Sequence, residues 1–105
     1  MNNYSLIGRA EVTGHETRNN AEFQLVTVAG ITGRWSNAEF LPQIGDRLLV
    51  TFNGFGTAVV RSFFQEDGWI GVEVACDIRP AWHFKQNGEN HPYPMVFGAE
   101  IKPAK

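Results

Sequence analysis

Apolar and polar positions alternate most regularly between Gly45 and Ala75, GDRLLVTFNGFGTAVVRSFFQEDGWIGVEVA. In Arg47–Phe52, Leu48, Val50 and Phe52 share a face. In Thr57–Phe64, Ala58 and Val60 lie opposite Val59 and Phe63. In Trp69–Ala75, Ile70, Val72 and Val74 share one face, with Trp69, Gly71 and Glu73 on the other. Period-two patterning in runs rich in Val, Ile, Phe and Thr predicts strands. Two tight turns join them, Asn53-Gly54-Phe55-Gly56 and Gln65-Glu66-Asp67-Gly68, each with Gly where a positive φ is needed. An antiparallel meander results, with Val50, Val60, Val72 and Val74 expected in the core.

The flanks extend this pattern. Tyr4–Thr13 reads as a first strand and Glu22–Val28 as a second, linked by a polar loop from Gly14 through His15–Asn20. Either face of Glu22–Val28, Phe23/Leu25/Thr27 or Gln24/Val26/Val28, can be the inner one. Ala29-Gly30 marks a turn into a short strand at Ile31–Trp35. Ser36-Asn37-Ala38-Glu39 has the spacing of a capping box, and Pro42 limits any helix there to one turn. Ile78–Phe84 can form one helical or 3₁₀ turn from Pro80, Lys85–Pro94 a polar loop, and Met95–Ile101 a closing strand before a frayed tail. The expected fold is all-β: a small SH3-like barrel or roll of about six short antiparallel strands with one or two single-turn helices, spanning residues 1–105 as one domain.

Composition narrows the function classes. An apolar fraction of 43% and a charged fraction of 19% belong to a chain that folds around a core. A net charge of −2 supplies no global basic field for nucleic acid. The single cysteine, Cys76, excludes an intramolecular disulfide and fits a reducing compartment. The N-terminus MNNYSLIGRAEV lacks a signal-peptide pattern, and no apolar run reaches the ~18 residues of a membrane span. A cytoplasmic protein without a membrane partner is the expectation.

The stretch from Gly56 to Glu73 resembles CAP-Gly modules, through Arg61, Gly68, Trp69, Gly71, Val72 and Glu73, and more loosely KOW-type SH3-like barrels. It covers under a third of the chain. In CAP-Gly modules an exposed aromatic groove and a Gly-Lys-Asn-Asp-Gly loop bind acidic C-terminal peptides. Here Lys85-Gln86-Asn87-Gly88 stands at longer spacing without that motif, so the resemblance implies the fold and does not carry over the ligand. The same region resembles the barrel of trimethoprim-resistant type II dihydrofolate reductases through Gly45-Asp46-Arg47 and Val59-Val60. Their Val-Gln-Ile-Tyr pterin-binding segment has no counterpart.

Candidate chemistry is sparse. Cys76, Asp77 and His83 suggest a nucleophile and base, but a lone cysteine is more often a small core or rim residue. Cys76, His83, His91 and His15 lack the paired spacing of zinc ligands, so no metal, cofactor or catalytic residue is expected. The aromatic residues Trp69, Trp82, Phe84 and Tyr93 are the stronger signal: a groove for a protein or peptide, a plug for the barrel end, or a subunit interface. Arg61, Arg79 and Lys85 would edge such a surface. The expected function is a non-enzymatic binding module. Its alternatives are a KOW-type nucleic-acid-binding barrel and a small oligomeric enzyme resembling the type II reductases. Association into a homo-oligomer is compatible with all three.

Overall fold

The computed structural model describes residues 3–51, 54–77 and 93–104. Nine strands occur among them: β1 (Asn3–Leu6), β2 (Glu11–Arg18), β3 (Ala21–Val28), β4 (Ile31–Trp35), β5 (Arg47–Val50), β6 (Gly56–Glu66), β7 (Trp69–Cys76), β8 (Met95–Phe97) and β9 (Ile101–Pro103). They form one sheet in the order β2-β3-β4-β7-β6-β5-β9, curled into a half-barrel. The central ribbon is β6–β7. β5 and β1 pair with β6, while β4 and β8 pair with β7. The all-β expectation holds, as does the β5–β6–β7 meander.

Turn chemistry explains the hairpins. Ala29-Gly30 and Asp67-Gly68 have positive φ at both residues, 50° and 81° in the first turn, 55° and 84° in the second. Two such residues give a primed turn, whose twist matches that of the strands it joins. Asn19-Asn20, at 52° and 64°, makes a third turn of this kind without glycine. Asn tolerates the left-handed region, so β2 extends to Arg18 where the polarity of His15–Asn20 predicts a loop. Tyr4–Thr13 is correspondingly not one strand. The chain leaves β1 after Leu6, and Ala10 is tied to Gln43: its N–H donates to Gln43 Oε1 at 2.8 Å and its carbonyl accepts from Nε2 at 2.9 Å.

The concave face holds the core. Val26 and Val28 of β3, Trp35 of β4, Leu48 and Val50 of β5, Val60 and Phe63 of β6, and Ile70, Val72 and Val74 of β7 are buried together. This settles which face of β3 is inner and turns Phe23 and Leu25 outward. Phe63 joins Val60 in the core, although simple alternation sets it on Val59's face. The cause is a bulge: Val60 pairs with Val74 but Ser62 with Glu73, leaving Arg61 extra and reversing the phase beyond it.

Three further expectations are corrected. Ser36–Glu39 forms no capping box. The Ser36 hydroxyl accepts from Ala99 N–H at 2.8 Å, and Asn37 Oδ1 accepts from Glu39 N–H at 3.1 Å. Met95–Ile101 is not a continuous strand, because a 3₁₀ turn at Gly98–Glu100 separates β8 from β9. The tail is not frayed through Pro103: β9 pairs with β5 from Val50 and Ile101 to Leu48 and Pro103. Division of the first predicted strand into β1 and β2, and of the last into β8 and β9, brings the count to nine, above the expected six or so. The helical turn expected at Pro80, and the polar loop up to Pro92, lie outside the described residues. Among the described residues no helix is long and apolar enough to cross a membrane.

Candidate binding surface on the convex face

Because the core claims one face of the β6–β7 ribbon, the alternate residues must face outward. On β6 these are Ser62, Phe64 and Glu66; on β7 they are Glu73, Gly71 and Trp69, in register as three cross-strand pairs. Phe64 is buried even so, because its ring lies over Gly71. A Cβ at residue 71 would sit 2.3 Å from Phe64 Cζ and 2.7 Å from the Val96 carbonyl oxygen. Tyr4 stacks on Phe64 from β1, with centroids 6.2 Å apart, and Phe97 meets it edge-on from β8 at 5.2 Å. The convex side therefore carries an aromatic layer of its own.

Trp69 stands at one end of that layer and is half-buried. β4 runs parallel to β7 here, with Arg34 opposite Trp69 and Arg34 N–H donating to the Gly68 carbonyl at 2.8 Å. The Arg34 guanidinium consequently lies over the indole, 4.7 Å from its centroid, and Phe23 of β3 meets the same ring edge-on at 5.0 Å. Nη2 of Arg34 donates to the Asp67 carbonyl at 3.1 Å, and Nη1 lies 3.7 Å from the Glu16 carboxylate. The indole is thus packed between the Arg34 guanidinium and the Phe23 ring. Beside it lies a shallow, open depression of about 320 Å³ lined by Ser36, Trp69 and Phe97. A cleft of about 340 Å³ lies between β1 and β8 and is lined by Tyr4, Ser5, Ser62, Phe64, Glu73 and Met95.

Of the residues singled out from sequence, Trp69, Tyr93 and Arg61 can be placed. Trp82, Phe84, Arg79 and Lys85 lie outside the described residues, as do His83 and His91. Arg61 does not edge Trp69. Its guanidinium covers Tyr93, 4.1 Å from the ring centroid, and the bulge that carries it faces Glu73. Glu73 is four residue steps along β7 from Trp69, roughly 13 Å at strand rise. Arg34 occupies the place beside the indole. Its position in the predicted strand Ile31–Trp35 marked it as outward only once Trp35 was known to be inward. The parallel β4–β7 pairing that brings it to Trp69 has no local signal in the sequence.

Of the other chemical candidates, Cys76, Asp77 and His15 lie among the described residues. Burial, and secondarily the charge of Asp77, push the Cys76 thiol above its usual range, which disfavours the thiolate a nucleophile requires. Asp77 accepts from the Thr57 hydroxyl and, at 2.6 Å, from the Arg47 guanidinium. These bonds hold its carboxyl below the usual carboxylate range and tie the ends of β5, β6 and β7 together. Among the described residues no three His, Cys, Asp or Glu side chains converge as a metal site. Comparison with known protein families, with characterised proteins and with solved structures finds no match to this chain.

Proposed function

We propose that this chain is a non-enzymatic binding module that docks a protein or peptide segment on its convex aromatic face, with Trp69 as the anchor. One observation carries the reading: Trp69 is outside the core yet packed between Arg34 and Phe23, next to an open depression it shares with Ser36 and Phe97. A pre-set aromatic ring with polar groups around it is the usual composition of an interface hot spot, because little side-chain entropy is lost when a partner covers it. Arg34 and Glu16 would supply orientation at the rim. An SH3-like ancestry agrees with this use but is not needed for it.

Nucleic-acid binding ranks lower for a physical reason. Arg34 is engaged by Glu16 and Trp69, Arg47 by Asp77, and Arg61 by Tyr93, which leaves these guanidinium groups less able to meet phosphates. The test is selection of peptides from a random display library on the whole chain, followed by measurement against Trp69→Ala. Selected peptides should lose at least about tenfold in affinity on the variant, the scale of a hot-spot truncation. Peptides that bind both proteins equally would overturn the reading.

A further inference from the structure

The cleft between β1 and β8 differs from the depression at Trp69 in having a carboxylate, Glu73, among its lining residues. Glu73 lies beside Ser62, whose hydroxyl donates to Glu73 Oε1 at 3.3 Å. Its walls are the Tyr4 and Phe64 rings and the Met95 side chain, and its volume is about 340 Å³. Tyr4 and Met95 are 50% and 41% exposed, so large apolar surfaces stand at the mouth without a cover of their own. The Tyr4 hydroxyl donates to another carboxylate, Glu66 Oε1, at 3.4 Å. Among the described residues no arginine or lysine pairs with Glu73. Arg61, the bulge residue next to Ser62, lies on Tyr93 instead.

We propose that this cleft binds the side chain of a lysine from a partner protein, its apolar stem along Tyr4, Phe64 and Met95 and its ammonium at Glu73. The charge of the cleft is negative, and its aromatic walls favour a cation over an anion. Ammonium suits the site better than guanidinium. Ser62 already occupies one oxygen of Glu73, so a two-pronged arginine contact is impeded while a single-point donor can use the other oxygen. The proposal goes beyond the docking role of Trp69 and does not depend on it, since the two sites share no lining residue.

The experiment is an amide-detected NMR titration of the whole chain with N-acetyl-lysine methylamide, and in parallel with the norleucine analogue, which keeps the stem and lacks the ammonium. The lysine probe should shift the amides of Ser62, Phe64 and Glu73 with a dissociation constant of about millimolar order, as expected for a fragment of this size. Norleucine should leave them in place. Glu73→Gln, which retains an acceptor for Ser62, should weaken lysine binding about fivefold or more, and added salt should weaken it on the wild type. If Glu73→Gln does not fold, the salt series and the norleucine comparison decide. Equal responses to the two probes, insensitivity to salt, or no shift at these amides would each overturn the proposal.

Discussion

Phe64 and Gly71 are cross-strand partners, and the ring of the first fills the space that a side chain on the second would need. This contact lets β8 approach the convex face, since the Val96 carbonyl also lies within 2.7 Å of the position a Cβ would take. Gly71→Ala should therefore displace the ring or open the β7–β8 pairing. The expected loss is about 1–3 kcal/mol, the usual range for forcing a methyl group into a packed site. Chemical denaturation checks it: an unchanged midpoint would mean that the aromatic layer is loosely packed.

The core makes a separate claim. Val72 is fully buried on the face opposite Gly71 and Glu73. Val72→Ala should cost on the order of 1–3 kcal/mol, the transfer term plus the residual cavity. A midpoint equal to that of the wild type would invert the assignment of faces.

Ala29 holds a φ of 50°, where a Cβ is strained, in the turn between β3 and β4. Ala29→Asn would create Asn-Gly, the preferred pair for this turn. Stability should rise by about 1 kcal/mol, the order of the penalty for a left-handed residue, and the thermal midpoint by about 4–8 °C. A midpoint that falls would show that the turn does not adopt the primed geometry.

Asp77 predicts a pH dependence with a definite sign. Its folded carboxyl is held below the usual range first by the Thr57 hydroxyl and then by Arg47. The ionised form is therefore the one favoured by folding. Its contribution should be complete above the unfolded value, about 3.9, and disappear as pH falls through the lower folded value. Thermal melts of the wild type and Asp77→Asn should differ by a constant amount near neutrality and converge below about pH 4. A gap that persists unchanged into acid would remove the carboxylate's charge from the account.

The parts of the fold legible in the sequence are those fixed by neighbours along the chain. Ile70, Val72 and Val74 alternate without interruption, and Asp67-Gly68 turns as its residue types require. Arg61 breaks the alternation, and nothing about an arginine between Val60 and Ser62 announces a bulge, so plain alternation sets Phe63 on the wrong face. Asn19-Asn20 lacked the glycine that marks the other turns. The candidate surface was legible at Trp69, whose outward parity follows from Ile70. It was not legible at Arg34 and Phe23, because their meeting depends on β4 lying parallel to β7, a non-local pairing set by the whole sheet. Glu73 and Tyr4, 69 positions apart in the chain, come together for the same reason.

The most direct test of the docking role follows Trp69 itself. A peptide selected on the whole chain is titrated into isotope-labelled protein while the indole N–H signal of Trp69, assigned with Trp69→Phe, is monitored. The account predicts that this signal and the amides of Phe23 and Arg34 shift together on binding. It also predicts that Trp69→Ala stays folded, at a stability cost of about 1–2 kcal/mol from the lost ring and cation contacts, yet no longer binds. A peptide that binds while the Trp69 indole signal stays in place, with the shifts confined to another part of the sheet, would contradict it.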